Sequence, residues 1–323
     1  MITARRSILR VAGLFLAALL AAALVACGNV GESGGSGPSG EGRGGAGTIT
    51  VGSKNFTEQY ILGNMYALAL ENAGFEVERR LNLGSEQIAD RALQNGRIDL
   101  YPEYTGTALV AILDYGEERL ARLDTPEETY RQAKELYAER EPADTMLEPA
   151  PFNNTYGIFV RREAAERYDL KTLSDLAEAS PNLVFVSFSE FQNRDDGFPN
   201  MKENYPALDF KDVQIVNSIG LRYQGVLQGE GDVGIGFTTD GQLASDRLVV
   251  LEDPKNIWPF YQPAPVVRTE VLEKNPKIRE VLNEVSASLD IQTMRRLNGR
   301  VDLQKEDPED VAREYLEQEG LIN

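Results

Sequence analysis

The chain has 323 residues, 42% hydrophobic and 26% charged, which is enough for two modest globular domains. A formal net charge of -18 repels phosphate backbones and argues against a nucleic-acid partner. With no histidine and a single cysteine, imidazole catalysis, HExxH zinc sites, internal disulfides and thiolate clusters are excluded. Neither a metal nor a cofactor is expected.

Arg5, Arg6 and Arg10 form a basic start, followed by an uncharged run over 11–26. A spanning helix needs about 20 apolar residues, so this run is short for an anchor and suits a signal h-region. Leu24, Val25, Ala26 and Cys27 resemble the bacterial lipobox, in which cleavage precedes a cysteine whose thiol carries a diacylglycerol. The predicted organisation is a signal peptide over 1–26, lipid attachment at Cys27, and a flexible tether over 27–47 whose ten glycines bury no apolar surface. The expected location is the outer face of the cell membrane, reached by Sec or twin-arginine export.

From residue 48 strand-like and helix-like patterns alternate. Strands are predicted at 48–51, 77–81, 98–101, 156–160, 184–187, 213–216, 233–237, 248–251 and 264–267. A helix over 57–73 places Ile61, Met65 and Leu68 on one face, and a second follows over 85–95 with Ser85 as its N-cap. Thr125, Pro126 and Glu128 read as a capping box, and the tail is helical over 276–289 and over 308–319, the latter capped by Asp307. Repeated alternation predicts an α/β protein with mainly parallel sheets. The irregular, Pro-bearing stretches 141–151 and 254–265 are the two predicted crossings between lobes. Gly229, Gly231 and Gly234 match GxGxxG but precede a strand, which fits a turn better than a phosphate cradle. Asp99 and Glu103 are a candidate carboxylate pair, the one feature that would suit a hydrolase.

Several short blocks occur in order. Val51, Gly52, Ser53, Lys54, Asn55, Phe56 and Thr57 come first, then Tyr101, Pro102, Glu103, Tyr104, Thr105, Gly106 and Thr107. Asn153, Asn154, Thr155 and Tyr156 follow, then Gln192, Asn193, Arg194, Asp195 and Asp196, then Thr238, Thr239 and Asp240, then Pro259, Phe260 and Tyr261. This succession resembles the substrate-binding lipoproteins of osmoprotectant ABC transporters, the glycine betaine/choline-binding family. The resemblance implies a two-lobed periplasmic-binding-protein fold of type II, with the ligand cleft between lobes and two crossover segments. Lobe 1 would comprise 48–153 and 259–323, and lobe 2 would comprise 154–258. It also implies an aromatic cage at Tyr104, Tyr156, Phe237 and Tyr261, with Lys54 and Arg194 as carboxylate partners and Thr107 as hydroxyl donor. Phe237 departs from the tyrosine usual at its position, keeping a π-face and losing a hydroxyl. Asn55, Gln59, Tyr101, Glu103 and Tyr223 are expected around this set as lining or packing residues.

The chemistry suits such a ligand. A trimethylammonium group has no N–H to donate, and aromatic faces attract it at about 0.5–2 kcal/mol per ring. Several rings and a carboxylate clamp reach micromolar binding, roughly -8 kcal/mol. The expected function is delivery of glycine betaine, or of proline betaine or carnitine, to an ABC permease by a monomeric, non-enzymatic binding protein. A choline-preferring binder is the alternative; Lys54 counts against it, because choline has no carboxylate. An extracellular carboxylate-dependent hydrolase is the remote alternative.

Overall fold

The structure, a computed structural model, describes residues 47–323 apart from 121–122. The signal segment, Cys27 and nearly all of the Gly-rich tether therefore lie outside the described residues. Ten strands form two five-stranded sheets. The first sheet has the order β2-β1-β3-β10-β4, from Val77–Arg80, Ile49–Gly52, Leu100–Tyr104, Pro263–Arg268 and Asp144–Met146. The second has the order β7-β6-β8-β5-β9, from Asp212–Ile215, Val184–Ser187, Val233–Phe237, Tyr156–Arg161 and Leu248–Val250. The chain passes between the sheets twice, after β4 and after β9.

Both sheets are mixed, not mainly parallel as the alternation predicts. In each, three strands run parallel: β2, β1 and β3 in one, β7, β6 and β8 in the other. The strand that follows a crossing enters against them. β5 pairs antiparallel with β8 and β9, and β10 pairs antiparallel with β3 and β4. Local sequence carries the strand pattern but not its direction, which depends on where the preceding crossing emerges. β4 was not predicted, since it is a three-residue edge strand inside the Pro-bearing stretch.

The helix Thr57–Asn72 departs from the one-faced expectation. Leu62, Tyr66 and Leu70 are buried along with Ile61, Met65 and Leu68. The first sheet covers one side, and the C-terminal helix Pro308–Gln318 covers the other through Val311, Ala312, Tyr315 and Leu316. Each fully buried side chain of this size is worth about 1.5–3 kcal/mol relative to exposure. That helix begins as predicted: Asp307 accepts a hydrogen bond from Glu309 N–H at 2.8 Å. Gly229, at φ 83, ends the helix Ile219–Gln228 in the left-handed conformation and leads into β8, so the GxGxxG match is a turn.

The two crossings lie side by side. Tyr261 N–H donates to Asn153 Oδ1 at 2.7 Å, and Asn154 N–H donates to the Tyr261 carbonyl at 3.0 Å. No described helix is long and apolar enough to cross a membrane.

Candidate functional site

In α/β sheets, the loops after parallel strands open onto the ligand crevice. Lys54 and Phe56 follow β1, Tyr104 ends β3, Phe188 follows β6 and Phe237 ends β8. The antiparallel strands bring two more rings to the same edges. Tyr156, the first residue of β5, pairs in register with Phe237. Pro263 of β10 pairs with Tyr104, so Tyr261 stands just beyond that edge. The result is a cavity of about 530 Å³ lined from both sheets. All seven residues predicted for the site, Lys54, Tyr104, Thr107, Tyr156, Arg194, Phe237 and Tyr261, stand on its wall.

The rings form a continuous run. Phe56 lies between Tyr104 and Phe237, with centroids at 6.2 and 5.9 Å. Phe237 stacks on Tyr156 at 5.7 Å, and Tyr156 meets the edge of Tyr261 at 5.8 Å. Phe188 adjoins Phe237 at 6.1 Å. Phe56 and Phe188 had no predicted role, although Phe56 sits inside the first motif block. The signal for both was available: each stands as the N-cap in a strand-to-helix connection after a strand of a parallel pair.

Hydrogen bonds fix two of the tyrosines. Tyr104 Oη donates to Glu58 Oε1 at 2.8 Å, and Tyr261 Oη donates to Asp196 Oδ2 at 2.6 Å. Glu58 also accepts from Asn154 at 2.7 Å and from Asn298 at 3.0 Å. It thereby ties the first helix to a crossing and to the helix Ile291–Gln304. Burial raises the Glu58 carboxyl above its ordinary value, against the lowering effect of its donors.

The expected cations arrive already paired. Lys54 Nζ bonds the buried Glu103 carboxylate and lies 4.6 Å from the centroid of the Tyr104 ring. Arg194 holds Asp196 with two bonds, Nε to Oδ1 at 2.8 Å and Nη2 to Oδ2 at 2.6 Å, and reaches Glu86 at 3.3 Å. Each of the two cations on the cavity wall thus stands beside a carboxylate of the protein itself. Side-chain direction decides this, and the sequence does not display it.

The neighbours sort clearly. Asn55 lines the cavity, and Gln59 accepts from Lys54 N–H at 3.0 Å. Tyr101 is core, and Tyr223 stacks on Phe159 at 4.2 Å while donating to Asp240 at 2.9 Å. The candidate hydrolytic pair dissolves. Asp99 accepts from Thr50 N–H at 2.8 Å and from Arg268 at 3.2 Å, while Glu103 faces Lys54.

A cavity walled by aromatic faces, with charged groups set among them, suits a small zwitterion with an apolar cationic head. The profile for the substrate binding domain of ABC-type glycine betaine transport systems matches residues 47–318. The chain is 34% identical over 287 residues to a glycine-betaine-binding protein of Pseudomonas aeruginosa, covering 85% of this chain and 89% of that one. It is 33% identical over 284 residues to the glycine betaine-binding protein YehZ of Escherichia coli, covering 85% and 92% respectively. The crystal structure of a glycine betaine/carnitine/choline ABC transporter superposes with a TM-score of 0.70 at 29% identity, covering 85% of this chain and all of that one. The likeness identifies the two-sheet body as the two-lobed, type II periplasmic-binding-protein fold.

Proposed function

The chain belongs to the substrate-binding domains of ABC-type glycine betaine transport systems, and from that premise we propose that its cavity captures glycine betaine or a related quaternary-ammonium zwitterion for an ABC permease. It is a binding protein and not an enzyme, and it works outside the cytoplasm. The observation that carries the ligand reading is the run of rings contributed by both sheets to one cavity. Tyr104, Tyr156, Phe237 and Tyr261 receive the ammonium head, and Phe56 and Phe188 extend the apolar wall. Lys54, Thr107 and Arg194 form the polar part of the wall that faces the ligand's other end. We place the lobes at 48–153 with 259–323, and at 154–258, so that ligand bridges them and favours the closed arrangement.

Choline stays a second reading because of one specific observation. Lys54 and Arg194 each carry their own carboxylate, so neither requires an anion from the ligand. A thermal-shift series with glycine betaine, proline betaine, carnitine and choline separates the two readings. A ligand that binds only the folded state raises the melting temperature, and the account expects a larger rise with the betaines than with choline.

The anchor is part of the same proposal. Cys27 carries a lipid that holds a monomeric binding protein beside its permease, with 27–47 as tether. Cys27→Ala should move the protein out of the membrane fraction or stall its processing. Unchanged processing and partitioning would count against lipidation.

A further inference from the structure

Two tyrosines on the cavity wall are each backed by a buried carboxylate that does not itself line the cavity. Tyr104 donates to Glu58 at 2.8 Å, and Tyr261 donates to Asp196 at 2.6 Å. The two carboxylates differ in what balances them. Asp196 carries a guanidinium of its own, that of Arg194, through two bonds. Glu103, beside Tyr104 in the chain, likewise carries Lys54. Glu58 is bonded by neutral groups, Tyr104, Asn154 and Asn298. No Lys or Arg pairs with it among the described residues.

The surroundings of Glu58 suit the ionised acid. The Asn298 amide N–H donates both to Glu58 Oε2 at 3.0 Å and to the Thr239 carbonyl at 2.9 Å, so its orientation is fixed and it can only give. Glu58 stands in the first turn of the helix Thr57–Asn72, where the helix dipole favours negative charge. Burial raises its carboxyl, and its donors pull it back down. A buried negative charge without a cation is costly. Here it lies one hydroxyl away from a ring on the cavity wall. A charge-assisted hydrogen bond draws the phenol proton toward the carboxylate and pushes electron density into the ring. The face of Tyr104 becomes more negative and holds a cation more strongly. An ammonium already stands at this ring, since Lys54 Nζ lies 4.6 Å from its centroid.

We infer that Glu58, acting through the Tyr104 hydroxyl, sets the preference of the cavity for a ligand with a positively charged head over one of the same shape without the charge. This rests on the quaternary-ammonium reading of the cavity. Glu58 is a positioning residue in this scheme and does not touch the ligand. A trimethylammonium group has no N–H with which to meet a carboxylate directly, so the ring between them carries the negative potential to it. Asp196, neutralised by Arg194, gives Tyr261 less of the same effect.

The test compares glycine betaine with tert-butylacetate, which keeps the shape and the carboxylate but has carbon in place of the quaternary nitrogen. Both affinities are measured by calorimetry, the weaker one by competition, on wild type, Glu58→Gln, Tyr104→Phe and the double variant. Wild type should favour glycine betaine. Glu58→Gln is neutral at the same size; it should weaken glycine betaine about tenfold, about 1.4 kcal/mol, and change tert-butylacetate less than about twofold. Tyr104→Phe keeps the ring and removes the donor, so it should lower the ratio of the two affinities in the same direction. Adding Glu58→Gln to it should lower that ratio little further. Tyr104→Phe also carries the test if Glu58→Gln does not fold. A ratio that either folded variant leaves unchanged would overturn the inference, and so would equal losses for both ligands, which would make Glu58 a support for the ring alone. A second fall in the double variant as large as the first would place the effect of Glu58 outside Tyr104 and overturn it too. A folded wild type that binds both ligands alike, or neither, would instead sink the quaternary-ammonium reading.

Discussion

Glu58 shows how much a single buried carboxylate can organise. It is 3% exposed, and Tyr104, Asn154 and Asn298 all donate to it. A glutamine there would turn an amide N–H toward one of these donors and leave it without an acceptor. Glu58→Gln should therefore cost about 2–3 kcal/mol in urea denaturation; a loss under about 0.5 kcal/mol would mean the network is not coupled to folding. Asp240 gives a pH prediction. Burial pushes its carboxyl up from 3.8 to about 7. Between those values the folded protein holds a proton that the unfolded chain has released. Its contribution is thus favourable below about pH 4 and is lost as pH rises to about 7. Asp240→Asn should flatten the fall in melting temperature over that window, and parallel curves would contradict the assignment. At this scale, ring positions were legible and polar partnerships were not. Tyr104, Tyr156 and Tyr261 stand in motif blocks, whereas the pairing of Lys54 with Glu103 depends on side-chain direction.

The elements were legible to the extent that they are local. Strands β6 and β8 fall where their β-branched and aromatic runs predict, at Val184–Ser187 and Val233–Phe237. The helix Ile291–Gln304 was not anticipated, nor was the antiparallel entry of β5 and β10. This helix shows its meaning only in contact with the loop after β8. Its Asn298 donates to the Thr239 carbonyl at 2.9 Å, and its Arg295 donates to the Thr238 carbonyl at 2.6 Å. Gly241 makes the closest approach, because a Cβ there would lie 2.4 Å from Gly299 Cα. Neither backbone can yield cheaply. Gly241→Ala should destabilise by about 1–3 kcal/mol. Gly220, by contrast, is helical with nothing within 4 Å of an added Cβ. Gly220→Ala should stabilise by about 0.5–1 kcal/mol. Chemical denaturation of both variants checks the contrast, and the same sign for the two would contradict it.

At the scale of the whole molecule, two sheets of the same mixed design face each other across one cavity, and the chain crosses between them twice. The ordered motif blocks made that architecture readable, since they recur on the strand ends that line the cleft. The cavity joins residues far apart in sequence: Phe56 stacks on Phe237, and Glu86 meets Arg194. Binding is thus a property of the assembled pair of lobes, with Tyr156 at the centre of the ring run, in contact with Phe191, Phe237, Trp258 and Tyr261. The most direct test is calorimetric titration of glycine betaine into wild type, Tyr156→Phe and Tyr156→Ala. The account predicts one site of micromolar affinity in wild type, roughly -8 kcal/mol. It predicts a loss of about 1–2 kcal/mol or more for Tyr156→Ala and a smaller one for Tyr156→Phe. No binding of any quaternary-ammonium ligand by folded wild type, or an affinity that Tyr156→Ala leaves unchanged, would contradict it.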